Sequence, residues 1–310
     1  MSGKTKRPSV SFVIVSYNCA DLIVDCVKSV LQYGEGNIIV IDNASTDTTR
    51  ESLLPFADKI KLLLNDRNLG YTIACNQGIR AAEADYIFLL NPDAFLKDES
   101  WKKLIDILGS DPSVGAIAPN LYYPDGGIQN YIRRFPSITA LLVEFFVPAK
   151  WWTRFSSYRS YTCMDLDLSK AQPLEQPAGA ALLFRSDYQM DERFFIYGSD
   201  LELCRRIWKD GRKILLEPSA AVFHHQSKGG TGTGNPAVRM WLQLDALYGY
   251  GLFFKQYTGY VYYLAYKIIF AFCLGIVAMQ YWLLRKPARK IKWARFTGFL
   301  FNRNFRHFNV

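Results

Sequence analysis

The 310-residue sequence predicts an α/β fold: a mostly parallel sheet wrapped by helices, followed by a basic, aromatic helical tail. Three observations carry that prediction. Over the first hundred residues, apolar runs of strand length alternate with stretches of helical apolar spacing, the rhythm of βαβ units. The apolar runs are continuous rather than alternating, so their strands are covered on both faces. All 28 acidic residues lie at or before Asp245, whereas ten of the 37 Lys and Arg follow it, so a near-neutral body carries a cationic tail.

Residues 9–16 (SVSFVIVS) form the first strand, and Tyr17-Asn18 turns the chain into a helix over 21–33, ended by Gly34 and Gly36. Residues 37–42 (NIIVID) are a second buried strand, followed by the polar turn 43–47 and a helix over 48–56. A strand at 60–64, a loop at 65–70 and a helix over 71–82 lead to the strand 86–90 (YIFLL). That strand stops at Asn91-Pro92-Asp93, because Pro92 has no N–H for a ladder and restricts Asn91. A helix over 101–108 and a strand over 114–119 follow. Residues 121–175, rich in Pro, Gly and aromatics, are too long for an ordinary connection and read as an insertion that shapes a binding surface. Order returns with a strand in 176–185, a helix over 200–210, and strands at 213–216 and 220–224. The Gly-rich stretch 229–234 separates this body from the tail, giving units 1–235 and 236–310.

Composition narrows the function classes. Half the residues are hydrophobic, which excludes wholesale disorder. The six cysteines are scattered without a Cys-x-x-Cys pair, the pattern of reduced core thiols in a cytosolic compartment rather than of disulfides or zinc. The short basic stretch 1–8 is not read as a signal peptide. The tail is cationic but strongly apolar, which points to anionic membrane lipid and not to nucleic acid. No Gly-x-Gly-x-x-Gly follows the first strand and there is no Walker loop, so neither a dinucleotide nor a P-loop site is expected.

The polar ends of three neighbouring parallel strands, Val15-Ser16-Tyr17-Asn18, Asp42-Asn43 and Asn91-Pro92-Asp93, emerge on one sheet edge. Each alone is a turn; together they make a ligand crevice at the carboxyl ends of the strands. Further on, Ser199 and Glu202 fit the spacing of a capping box, which leaves Asp200 unused by the cap.

VSYN (15–18), DNASTD (42–47), NLGY with Asn76 (68–76), FLLNPDA (88–94), PAGAALLFR (177–185), DERFFIYGSDLELCRR (191–206) and VFHH (222–225) occur in one order. On these motifs, over roughly residues 9 to 230, the chain resembles the inverting nucleotide-sugar glycosyltransferases of family 2, which have the GT-A fold. Within that family it looks most like the bacterial rhamnosyltransferases that build cell-surface polysaccharides. The resemblance implies that Asp93 is a ligand of Mg²⁺ or Mn²⁺. Asn91 stands where the family's first metal-motif aspartate falls and offers a neutral oxygen. Asp42 is implied as acceptor from the pyrimidine base, and Ser16, Tyr17 and Asn18, with Val15 beside them, as the wall of base and ribose. Asn68 and Gly70 fall near ribose and diphosphate, and Asn43 and Asn76 complete the implied nucleotide-sugar site. Asp200 is implied as the base that deprotonates the acceptor hydroxyl; Ser199 replaces the family's usual glutamate before it. His224 is implied as ligand of metal or diphosphate, with His225 as its substitute.

The implied partners are a dTDP- or UDP-sugar donor, with dTDP-L-rhamnose favoured, and a polyprenyl-diphosphate-linked glycan acceptor; self-association is left open. The rival reading is a catalytically idle, nucleotide-binding scaffold of a polysaccharide assembly complex. Arg133-Arg134 reads either as a solvated basic pair or as a contact for acceptor phosphate. Residues 260–284 carry one charge, Lys267, and are long enough to span a bilayer, with basic residues at 285, 286, 289, 290, 292 and 295 behind them. A single span would leave the body outside by the positive-inside rule. The expectation is therefore an in-plane or re-entrant segment on the cytoplasmic face; the alternative is a helix packed on the protein's own body.

Overall fold

The computed structural model describes residues 8–225 and 235–301. Its elements in chain order are β1 (Val10–Ser16), α1 (Ala20–Tyr33), β2 (Asn37–Asp42), α2 (Thr49–Leu53), β3 (Lys61–Leu64), α3 (Tyr71–Ala81), β4 (Tyr86–Leu90), β5 (Ala94–Phe95), α4 (Lys102–Ser110) and β6 (Val114–Tyr122). There follow α5 (Ile138–Phe146), α6 (Ser156–Tyr161), β7 (Gln172–Pro173), β8 (Ala181–Arg185), α7 (Ser199–Lys209), β9 (Lys213–His224), α8 (Pro236–Tyr257), α9 (Tyr260–Leu283) and α10 (Arg289–Leu300). The sheet order is β3-β2-β1-β4-β8-β6-β9-β5, with β7 on β9.

The first four strands are parallel, as their continuous apolar runs predict. Side chains alternate across the sheet. Phe12 and Ile14 of β1 pack with α1 and Trp101, while Val13 and Val15 pack with Ala74, Cys75 and Ile79 of α3. Trp101 is fully buried, edge-on to Phe12 at 5.0 Å between ring centroids, and its indole N–H donates to the Tyr33 carbonyl at 3.0 Å.

The parallel arrangement expected of the first hundred residues is thus present, whereas the second half of the sheet is mixed. β8 runs antiparallel to both β4 and β6, and only β6 and β9 are parallel there. An apolar run marks a buried strand but carries no sign of its direction. The reversal has a consequence for the site. It brings the start of β8 to the ligand edge, so that Asn91 N–H donates to the Ala180 carbonyl at 2.9 Å.

Three further boundaries differ from the sequence reading. The insertion holds two helices, α5 and α6; Ser137 caps α5 by accepting from Ala140 N–H at 3.2 Å. The strands expected at 213–216 and 220–224 are one strand, β9, whose register against β6 jumps from Glu217 to Ala221 where Pro218 interrupts the ladder. The capping box at Ser199 does not form. Gly198, at φ +90°, precedes the helix, and buried Glu202 instead binds Arg206 at 3.0 Å and accepts from the Tyr257 hydroxyl at 2.8 Å. The Gly-rich stretch 229–234 lies outside the described residues.

The tail helices form a third apolar core with α5, Tyr161 and Leu201 of α7. Helix α9 buries the stripe Tyr266, Phe270, Leu274 and Ala278, spaced four apart, and leaves Val261, Ile268, Phe272 and Leu283 more than two-thirds exposed. Its one charge is on neither apolar stripe: Lys267 donates to the Phe299 carbonyl of α10 and lies 3.9 Å above that ring. The helix thus has features of both readings of the tail, one face on the body and one face outward.

Candidate active site

The crevice is built from the strand ends upward. Beyond β1 and β2, the Ser16 carbonyl accepts from Asn43 N–H and the Asp42 carbonyl from Asn65 N–H, which extends the ladders and sets Asn43 and Asn65 side by side on a polar rim. The rim is braced by its own amides. Asn43 Oδ1 accepts from Asn65 Nδ2 and Leu69 N–H, both at 3.0 Å, and Asn43 Nδ2 donates to Asn68 Oδ1 at 2.9 Å. Asn65 and Gln77 exchange two bonds of 2.9 Å. Gly70 opens α3 at φ +87°, ψ 159°, a region open essentially to glycine, and a Cβ there would lie 2.4 Å from the Phe195 ring.

Above this rim a cavity of about 450 Å³ is lined by Val15, Tyr17, Asn43, Asn68, Asn91, Asp93, Asp200 and His224. These eight residues of the predicted site are therefore brought together. Five others are not on its wall. Ser16 is fully buried beneath it, with its hydroxyl near Ile41 O and Asp42. Asp42 is also fully buried, and its carboxylate is held by Arg50 Nε at 2.6 Å and Ser45 N–H at 3.1 Å. Asn18 braces the same loop by accepting from Thr46 N–H at 2.8 Å. Gly70 sits under Phe195. Asn76 faces away: its amide exchanges bonds with the backbone of Met190 at 2.8 and 2.9 Å, tying α3 to the loop before α7. An asparagine on a helix reads the same from sequence whichever face it takes.

Asp93 and His224 meet because β5 pairs with the end of β9, setting Ala94 opposite His224. His224 Nε2 lies 3.1 Å from Asp93 Oδ1, with both residues buried. The His225 ring leaves the cavity and lies against Phe95 at 5.4 Å. Gln129, which sequence did not single out, orients His224. Its Nε2 donates to the His224 carbonyl, so its Oε1 is left to accept from His224 Nδ1–H at 3.0 Å. Nε2 then confronts a carboxylate oxygen, an arrangement satisfied by a proton or by a cation. With the Asn91 oxygen on the same wall, this donor set of oxygens and one imidazole fits a divalent ion such as Mg²⁺ or Mn²⁺. Among the described residues no group of three or more His, Cys, Asp or Glu could hold a metal ion by itself.

Asp200 sits in the first turn of α7. Its Oδ1 accepts from Leu201 N–H at 2.8 Å and its Oδ2 from Gly179 N–H at 3.3 Å. Burial pushes its carboxyl above the ordinary aspartate value; the two N–H donors pull the other way without cancelling it. A carboxylate of raised basicity on a cavity wall is what a general base requires. The loop before it is pinned from the tail, where Asp245 of α8 accepts from Ile196 and Tyr197 N–H at 3.1 and 2.8 Å.

Arg134 is spoken for by a two-bonded pair with Asp165, at 2.8 and 2.6 Å. Arg133 lines a second, adjoining cavity.

A parallel βαβ half ending in a polar crevice is joined to a mixed half that supplies Asp200. Residues 11–167 match glycosyl transferase family 2, and the chain belongs to that family. It is 30% identical over 216 residues to the N-acetylglucosaminyl-diphospho-decaprenol L-rhamnosyltransferase of Mycobacterium tuberculosis, spanning 62% of this chain and 67% of that one. The O-antigen biosynthesis protein RfbC of Myxococcus xanthus is 24% identical over 77% of this chain, which spans only 19% of that longer protein. Among solved structures, a mannosyltransferase from Pyrobaculum calidifontis in complex with GDP-Man and Mn²⁺ shares the fold, with a TM-score of 0.55 at 16% identity over 97% of this chain and 89% of that one.

Proposed function

We propose that this glycosyltransferase is an inverting, metal-dependent enzyme that moves L-rhamnose from dTDP-L-rhamnose to a polyprenyl-diphosphate-linked glycan. The observation that carries the reading is the sharing of one cavity wall by Asp93, His224 and Asp200. The donor class and the lipid-linked acceptor are supported by the likeness to the mycobacterial rhamnosyltransferase.

In this reading Asp200 takes the proton of the acceptor hydroxyl. That oxygen forms a bond to the anomeric carbon as the carbon–diphosphate bond breaks, and the electron pair leaves with the nucleoside diphosphate. Asp93, His224 and the Asn91 oxygen would hold a divalent cation, which when bound would supply charge neutralisation for the leaving diphosphate. Asn43 and Asn68 meet the nucleotide, with Asp42 and Arg50 fixing the loop beneath them. Residues 1–235 act as the catalytic unit. Residues 236–310 hold it on the cytoplasmic membrane face, through the exposed stripe of α9 and the basic residues 285–295.

Incubation with dTDP-rhamnose or UDP-sugars, Mg²⁺ or Mn²⁺ and a bacterial lipid extract tests this. Transfer of label from dTDP-rhamnose to the lipid fraction is expected. Binding of nucleotide-sugars without any turnover would overturn the enzyme reading and leave the scaffold.

A further inference from the structure

Beside the donor cavity lies a second cavity of about 310 Å³. Ala178, Ala180, Tyr197, Asp200 and His224 line both, so Asp200 stands at the junction. The far wall is supplied by segments outside the nucleotide-binding strands: Arg133 and Glu144 from the insertion, Gln176 before β8, and Tyr250 from α8.

Two oxygens on that wall are buried without a hydrogen-bond partner among the described residues, Glu144 Oε2 and Gln176 Oε1. Both side chains line the cavity, and an acceptor left open calls for a donor from a ligand or water. Around them the wall is aromatic. Tyr161 and Tyr250 share a hydroxyl contact of 3.2 Å, and Tyr131 and Tyr197 complete the surface. Arg133 adds one cation, with its Nη1 held by the Ile132 and Asn130 carbonyls. Open oxygen acceptors on an aromatic wall match a ring that carries hydroxyl groups on its edge and C–H groups on its faces.

We propose that this second cavity is the acceptor subsite. It holds the sugar ring whose hydroxyl Asp200 deprotonates, with Glu144 and Gln176 accepting from other donor groups of that ring. The assignment rests on the reading of Asp200 as base. It adds what that reading lacks, the residues that choose the acceptor. Arg133 faces the negative charge that a diphosphate-linked sugar carries beside its ring. Burial raises the Glu144 carboxyl above its ordinary value, against the attraction of Arg133. The placement also has a route. Helices α5 and α8, which carry Glu144 and Tyr250, both pack against α9, so the subsite lies behind the helix that reads as the membrane contact.

The test uses the full chain, dTDP-rhamnose and, as acceptor probe, an N-acetylglucosaminyl-diphospho-lipid of the kind named for the mycobacterial relative. Wild-type transfer in this assay establishes the base reading independently of the subsite. Glu144→Ala and Gln176→Leu are each expected to raise the acceptor KM about tenfold or more, the loss of about one hydrogen bond. Donor binding, followed by thermal shift with dTDP, stays unchanged. Glu144→Gln keeps the side-chain shape but turns one acceptor into a donor, and is likewise expected to raise the acceptor KM. An acceptor KM unchanged in Gln176→Leu and Glu144→Gln overturns the subsite. A parallel loss of donor affinity overturns it too, by making the cavity part of the donor site. Absence of transfer by the wild type instead overturns the glycosyltransferase mechanism itself.

Discussion

The donor rim and the second cavity are made of similar side chains in opposite states. On the rim, Asn43, Asn65, Asn68 and Gln77 bond one another, and Asp42 is closed by Arg50 and Ser45. Across Asp200, Glu144 and Gln176 each end in an oxygen with no partner among the described residues. A braced network fixes loop shape before a ligand arrives; an open acceptor waits for a ligand to complete it. Polar residues on the two sides should therefore respond differently to removal, the rim losing stability and the second cavity losing only function.

The largest effect is expected at Gly70. Gly70→Ala forces a side chain into a glycine-only conformation and against the Phe195 ring, a cost of about 3 kcal/mol or more. A thermal melt should fall by roughly 6–12 °C, with weaker nucleotide binding. Next is Asn43→Ala, which removes the acceptor of one Asn65 Nδ2–H and of Leu69 N–H and should cost about 2 kcal/mol in urea unfolding. An unchanged melt in both would break the picture of a preset rim. Smallest is Glu144→Ala, expected within about 0.5 kcal/mol of wild type or above it, because it removes an unmatched buried oxygen rather than a bond. A loss as large as that of Asn43→Ala would mean Glu144 is structural.

The pH dependence sharpens the same contrast. As the proposed base, Asp200 would work only when ionised, and burial raises its carboxyl, so kcat/KM should fall on acidification at a pH above the ordinary aspartate range near ~3.9. For stability the sign is reversed. A raised folded-state value favours the protonated fold, so this group's contribution is complete below the unfolded value and is lost as pH climbs through the folded one. An acid limb at or below the ordinary range would place the base elsewhere.

Much of the donor half was legible because its signals are local. Continuous apolar runs at β1, β2 and β4 end in polar turns, and Pro92 forces the exit that puts Asp93 at the edge. Asp93, His224 and Asp200 were found as motif residues, and the structure adds that they share one wall. What stayed hidden depends on long-range partners. Strand direction in β8, the inward turn of Asn76 toward Met190 and the pairing of Glu202 with Tyr257, 55 residues on, leave no local pattern. Asp42 and Ser16 have the chemistry expected of binding residues, yet the fold spends them beneath the rim. Glu144 and Gln176 lie in and beside the insertion where periodicity fails, and become a pair only when α5 folds against the tail. The capped apolar run from Ser137 was the available signal for that helix.

The account depends most on Asp200 standing between donor and acceptor as the base. Its most direct test is to compare Asp200→Asn with wild type for both turnover and dTDP binding in the same buffer. The prediction is a fall in turnover of about 10²- to 10⁴-fold with nucleotide affinity unchanged. Turnover within a few-fold of wild type, or a matching loss of nucleotide affinity, would contradict it.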